Sequence, residues 1–589
     1  MPGVSLRFRN FPRVRWMIVA ALATGGRLLS EGESTSPAAG PVVTLPTYTV
    51  SEPRLLPEPE AWRYGQVPGF EILSDDSVGD TKRLIHDFLL FQRAVGAVWP
   101  EVKRNFDLPV SLILCQRAKQ FADFMPADAG AKPSATFSLS LRERELAAIV
   151  LNLEVANSPI AAGELADDGA GLAESVADYS SHLLRGEYVH FLLDRIDPPP
   201  PPWLEAGLGQ MLLRMTYDGD MIGIPAIADT GDLAWRRAFA AKAKAAGAEV
   251  PPPPAVLSGE KNFRTALAAG AIMPLDRMFR ETSDVSLTGV SDTAWGRQCY
   301  QFVHLCLFGQ KMHLQKALLD FSIRASLQPP DENLFRRCFG MSYQEMLLTL
   351  WAYTDFYSGV AFSIHPRKEP KPAEPAALVL RAASDSEVGR IKGDALRMAG
   401  RIEAAHFTLI ASYLRGGRDP QLLAALGLEE IAAGRRDRAE KFLQAAVAAH
   451  TRRARAYLEL ARLRYAAATA GPKTSSPKLG VEQLTAILAP LWQARSHPPP
   501  LPEIYLLFAK TWSHAAFRPA RANLAVVDEG VTTFPFDADL LYEDARLRAQ
   551  YAYYADAAAL ADLGLKFSRG DSDRARLEKL KASLPSPSH

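Results

Sequence analysis

The sequence predicts an α+β domain followed by an all-α solenoid of paired helices, and three observations carry that reading. Over residues 61–363, strand-length runs of alternating or β-branched residues interleave with segments of helical period. Over residues 384–583 the chain is alanine-rich and helical, and small residues recur every 34 positions. Between the two, residues 364–383 set Pro366, Pro370, Pro372 and Pro375 among Arg367, Lys368, Glu369, Lys371 and Glu374, which is the composition of an interdomain linker.

A chain of 589 residues with 48% hydrophobic and 23% charged content is long enough to bury more than one core. Its formal net charge of +1 supplies no global field for nucleic acid, so no nucleic-acid partner is expected. Cys115, Cys299, Cys306 and Cys338 are too few for a disulfide scaffold and lack metal-type CxxC spacing. Free buried thiols, or a bridge from Cys299 or Cys306 to Cys338, both remain open. Residues 1–30 combine a basic stretch (Arg7, Arg9, Arg13, Arg15), an apolar run from Trp16 to Ala23 and an A-x-A site at Ala21-Leu22-Ala23. That is the pattern of an export signal and predicts a secreted, periplasmic or envelope location, the alternative being a cytoplasmic chain with a basic, apolar start. Membrane contact is expected only through this segment, if it is uncleaved. Residues 31–60, rich in Ser, Pro, Gly and Glu, read as a flexible spacer.

Within the first domain, Phe70–Ser74 alternates like a strand, and a helical pattern runs from Asp80 through Leu84, Ile85, Phe88, Leu89, Phe91 and Val95. Pro109–Leu114 and Ala147–Leu151 read as buried strands, with a helix around Phe121–Phe124 between them. A longer helix is expected from Leu172 to Ile196, ended by the prolines at 198–202. Further on come a short strand at Met221–Pro225, a helix start at Met273–Asp276, and an apolar helix from Trp295 to Leu307. That last helix carries Gln298, Tyr300 and His304, either as a polar cluster or as satisfied core residues. A helix, a cap at Gly340 and a further helix through Leu347–Tyr353 close the domain.

Two short motifs carry the chemistry. Gly186-Glu187-Tyr188-Val189-His190 is followed, after the prolines, by Trp203-Leu204-Glu205-Ala206-Gly207-Leu208. The pair resembles the HExxH-derived gluzincin metallopeptidases (a peptidase MA-like, zincin fold), in which two histidines at i and i+4 and a glutamate on the next helix bind zinc. In that family the glutamate after the first histidine is the general base on the metal-bound water. On this register Gly186 stands where the first histidine would be and Ala206 where the third ligand would be. The resemblance leaves Glu187 as a vestigial general base and His190 as a vestigial metal ligand. It implies a zincin-like domain that is an inactive peptidase, with no cofactor.

Replacements for the missing ligands are limited. His182 shares a face with His190 but lies about 12 Å away along the axis, too far for one ion. Glu205 is one residue from the ligand position, and a one-residue step turns a helical side chain by about 100°. Among the chain's eleven histidines, a ligand from a distant segment, such as His304, stays open. An active zinc metallopeptidase with such non-standard ligands is the alternative function.

In the second half, Gly393, Gly427 and Ala461 are spaced by 34 residues, as are Gly400 and Gly434, and Ala405 and Ala439. This resembles tetratricopeptide repeats, whose paired helices approach closely at small residues and stack into a solenoid. Gly417 reads as part of a turn between repeats, where a positive φ would favour glycine. An insertion at 466–480 and the prolines at 498–500 interrupt the array, which resumes near Tyr505 and ends in a charged capping helix between Arg569 and Lys581. The resemblance implies a protein or peptide partner bound through the array. Arg435, Arg436, Arg438, Arg452, Arg453, Arg455, Arg462 and Arg464 read either as a solvated face or as a preference for acidic partners.

Overall fold

The computed structural model describes residues 44–47, 58–98, 110–126, 137–156, 176–196, 198–218, 221–224, 272–281, 293–309, 314–357, 362–364, 378–470, 478–568 and 570–585. The export segment, most of the 31–60 spacer and most of the 364–383 linker lie outside these residues. Two compact units form. The first contains Trp62–Arg142 and Ala147–Ala382; the second contains Ala383–His589, the turn Glu143–Leu146 and the described residues before Trp62.

The first unit opens with strands β1 (Arg63–Val67) and β2 (Phe70–Ser74), the helix α1 (Val78–Val98), strand β3 (Val110–Cys115) and a short helix α2 (Ala118–Ala122). Strands β4 (Ser138–Arg142) and β5 (Ala147–Asn152), helix α3 (Leu153–Ala156) and the motif helices α4 (Val176–Leu193) and α5 (Pro202–Leu213) follow. β6 (Thr216–Asp218), β7 (Met221–Ile224) and helices α6 (Leu275–Arg280), α7 (Ala294–Phe308), α8 (Gln315–Leu327), α9 (Glu332–Phe339) and α10 (Tyr343–Tyr357) lead to β8 (Phe362–Ile364) and β9 (Arg381–Ala382).

One mixed sheet has the order β4-β5-β3-β2-β1-β9, and a small antiparallel sheet has the order β6-β7-β8. β2, β3 and β5 run parallel in the middle of the large sheet, which is why their sequences are near-continuous apolar runs. β4 is an antiparallel edge strand on β5, and its Ser-Leu-Ser-Leu-Arg alternation fits a strand with one face toward the core. β9 lies inside the segment read as a linker and pairs with β1.

Trp203 is fully buried, with its ring 5.1 Å from Phe279, 5.6 Å from Phe302 and 5.7 Å from Phe321, so it anchors the core. α9 ends at Gly340 with φ of 71°, the left-handed cap that glycine adopts without strain. The four cysteines are free thiols. Burial pushes the Cys299 and Cys306 thiols well above their ordinary range.

The second unit is a series of helical hairpins. α11 (Asp385–Met398) pairs with α12 (Ile402–Leu414), and α13 (Pro420–Ala432) with α14 (Arg436–Ala448). α15 (Ala454–Thr469) pairs with α16 (Val481–Ser496), α17 (Pro502–Ser513) with α18 (Arg521–Thr533), and α19 (Ala538–Gln550) with α20 (Tyr554–Phe567), and α21 (Asp571–Ala582) closes the series. A capping box at Ser384 and Glu387 starts the first helix.

The 34-residue register is visible atom by atom. A Cβ at Gly393 would meet Leu409 Cγ at 2.6 Å, and one at Gly427 would meet Leu443 Cγ at 2.7 Å, so both members of each contact repeat 34 residues on. Gly400 and Gly434, also 34 apart, turn the two hairpins with φ of 74° and 76°. The turn at Gly417 is corrected by one residue: the left-handed position is Gly416, at φ 96°, whereas Gly417 is crowded by Ser386, Leu422 and the Ser412 carbonyl.

The basic stripe of the middle repeats is internally neutralised at several of its residues. Glu429 and Glu430 are fully buried. Arg435 pairs with both, Arg438 reaches Glu430 at 3.3 Å, and His406 Nδ1 lies 2.6 Å from Glu429 Oε2. Arg453 pairs with buried Asp394 at 3.0 Å, and Arg455 and Arg462 both pair with Glu459. These five arginine charges are paired inside the array, while Arg436 and Arg452 are exposed.

Arg435→Ala is expected to cost about 2 kcal/mol in a urea melt, because it strips a buried carboxylate pair of its main counter-ion while Arg438 and His406 still compensate in part. Arg436, on the exposed side of the same turn, should lose less than about 0.5 kcal/mol when changed to alanine. Equal effects would refute the buried-pair account.

Candidate functional site

The motif residues converge where α4 lies along the edge strand β4 and meets α5. Ser138 and Arg142 are four apart on β4 and so project from one face of the strand. Glu187 lies on α4 and Asp194 seven residues on, in the turn that follows Leu193, where its amide still donates to the His190 carbonyl. The two spacings match as rungs. Ser138 Oγ donates to Glu187 Oε1 at 2.6 Å, and Arg142 forms an ion pair with Asp194.

Between the rungs, His190 Nδ1 lies 2.7 Å from Glu205 Oε1 and His190 Nε2 lies 3.6 Å from Asp194 Oδ2. His190, Asp194 and Glu205 form a metal-type group, each offering an atom within 4.8 Å of the others. Burial raises the Glu187 carboxyl above its ordinary range, opposed by the Ser138 hydrogen bond and then by His190 and Arg142.

The sequence made Glu205 a doubtful substitute for the missing ligand; in the structure it lies against His190. The 100° step still separates the two side chains on α5, and it is the Glu205 side that meets His190 where α4 packs on α5. Ala206 goes instead into the core, at 2% exposure. Gly207 explains the glycine of the second motif: a Cβ there would lie 2.5 Å from Val303 Cγ2 and 2.8 Å from the Cys299 carbonyl oxygen, so α5 and α7 approach at that point.

His304 stands away from the group. Its Nδ1 is 2.8 Å from the Tyr353 hydroxyl, and its ring packs with Tyr300, Phe308 and Tyr353. Gln298 accepts from the Met273 amide at 2.7 Å and donates to the Met273 carbonyl at 2.6 Å. Gln298 is a satisfied core residue, and His304 is a buried one held through Nδ1. Asp194, Arg142 and Ser138 were missed from the sequence, although Asp194 lies one helical turn beyond His190 and the alternation over Ser138–Arg142 was present to be read.

The donor set does not fit the zinc of the HExxH pattern. Two of the three positions, Gly186 and Ala206, carry no donor. Of the substitute group, Asp194 is paired with the Arg142 guanidinium, so a cation of the chain itself already neutralises it. One imidazole and two carboxylates with an arginine beside them make a partly exposed ion-pair cluster.

Burial also sets a pH response. The His182 and His304 imidazoles are pushed down to about 4, for His182 with added repulsion from Arg185 and Arg214. A depressed folded-state value means that the stability these groups confer is present above about pH 6.5 and is lost as pH falls toward 4. Glu187, raised, works in the opposite sense and offsets part of it. The thermal midpoint of the first unit is expected to fall between pH 7 and pH 4.5 in calorimetry, and the fall should be shallower in a His182→Gln, His304→Gln variant. Superimposable profiles would contradict this.

No family profile matches the chain, and no curated protein matches it. Among solved structures, the crystal structure of a thermophilic TPR protein from Thermus thermophilus is similar over 33% of this chain and 98% of that one, at 18% identity and a TM-score of 0.23. The assignment of the helical repeats rests on the hairpins and on the 34-residue recurrence of Gly393, Gly400 and Leu409 at Gly427, Gly434 and Leu443.

Proposed function

We propose that the chain is an exported interaction protein whose helical array binds an extended segment of a protein partner and whose motif region is a non-catalytic relic of a gluzincin-like peptidase. The carrying observation is the hairpin series. Each hairpin buries its apolar face against its neighbours, an architecture that builds long binding surfaces and brings no chemistry of its own. In the motif region, Glu187 is held by Ser138 and His190 by Glu205, so the vestigial base and the vestigial ligand are both engaged in contacts within the chain. Export is proposed from the N-terminal basic and apolar residues.

Panning a displayed peptide library on the full chain, followed by hydrogen exchange with the selected peptides, tests this reading. Enrichment of a shared pattern with protection within 385–582 supports it. Absence of enrichment over an unrelated helical protein, or protection confined to residues 62–382, would sink it. The group His190, Asp194 and Glu205 favours a second reading, in which a divalent cation displaces Arg142 and the domain is an active metallopeptidase; the zinc content of the purified protein separates the two.

A further inference from the structure

The segment before Trp62 reads as a flexible spacer, yet three of its residues, Leu45, Pro46 and Glu60, touch the array. Leu45 packs against the hydrophobic cluster that includes Leu409, Tyr413, Leu422 and Phe442. The Tyr413 hydroxyl donates to the Pro46 carbonyl oxygen at 3.0 Å. Thr44 and Thr47 on either side are exposed, so the contact is one apolar side chain and one carbonyl. A second tether follows: Lys392, buried on α11, bonds both carboxylate oxygens of Glu60 at 2.7 Å.

The receiving surface is held by contacts of its own. The Tyr413 ring meets Phe442 edge-on at 5.4 Å, and the Arg418 guanidinium covers it at 3.8 Å while donating at 2.7 Å to the carbonyls of Tyr413 and Gly417. A donor hydroxyl fixed beside an apolar cluster suits an extended Leu-Pro pair. Proline has a fixed φ and no N–H to leave unsatisfied, and it holds the residue before it in an extended conformation. The ordering cost on binding is correspondingly small.

We infer that Thr44–Thr47 is a built-in occupant of a peptide-docking site on the first two hairpins, and that the partner bound there is an extended segment carrying a Leu-Pro pair. This deepens the interaction reading proposed above and rests on it. A tethered segment acts at an effective concentration in the millimolar range. A contact with a dissociation constant below that range keeps the site covered, the Glu60–Lys392 tether helping to hold the segment in place, and a partner with more contacts displaces it.

The test uses the full chain and a fluorescein-labelled peptide of residues 41–50, titrated by anisotropy. Leu45→Glu, which removes the apolar anchor of the occupant, is expected to bind the peptide at least tenfold more tightly than wild type. Adding Tyr413→Phe should weaken that binding severalfold, and a peptide with glutamate in place of its leucine should not bind. Matching helical circular dichroism shows that the variants are folded. Equal affinity for wild type and Leu45→Glu, or no binding to Leu45→Glu at millimolar peptide, would overturn the inference. Library-selected peptides that still bind the array under those conditions would leave the broader interaction reading intact.

Discussion

Gly427→Leu is expected to destabilise the helical array by about 3 kcal/mol, since overpacking a close helix pair forces side chains off their rotamers and shifts backbone. The cause lies at one contact. A Cβ at Gly427 would sit 2.7 Å from both Cγ and Cδ2 of Leu443 and 3.3 Å from its backbone nitrogen, and the backbone atom cannot move aside without parting α13 from α14. Arg436→Leu, on an exposed position of α14, is the control and should change stability by less than about 0.5 kcal/mol. Urea melts followed by far-ultraviolet circular dichroism read both. Equal midpoints would mean that the register Gly393, Gly427, Ala461 does not mark helix contacts.

That register was legible because a repeat packs only against its neighbours, so its determinants are local and recur in sequence. The central strands β2, β3 and β5 were legible for a different reason, being buried on both faces. What escaped depends on pairings distant in sequence. Arg142 and Asp194 are on different elements, and nothing near either residue names the other. Glu205 faces His190 only because of how two helices cross. The arginines of α14 and α15 formed a visible basic stripe, but their buried partners, such as Asp394 for Arg453, are 59 residues away. β9 escaped because it is two residues long and sits in a stretch whose composition is that of a linker.

The motif region yields the second large effect. Gly186→His is expected to raise the zinc affinity of the chain until it binds one ion stoichiometrically. The introduced imidazole would stand one turn before His190 on the same face of α4, with side chains of such a pair about 5–6 Å apart at Cβ. Glu205, already 2.7 Å from His190, would complete a two-histidine, one-carboxylate set beside Glu187. No change at Ala206 is needed, since that side chain points into the core. Zinc titration with a competing chelator measures the gain, expected to be at least a thousandfold. A folded variant with unchanged affinity would show that the approach of α4 and α5 is not that of a zinc site.

The central claim is that the motif region of the natural sequence holds its own ion pairs in place of a metal. Its most direct test is elemental analysis of the full chain after dialysis, paired with a thermal melt in chelator. Well under one zinc per chain and an unchanged midpoint are expected, because Arg142 already neutralises Asp194 and leaves one imidazole and one carboxylate for the ion. One zinc per chain, with a midpoint that drops when chelator is added, would contradict the claim.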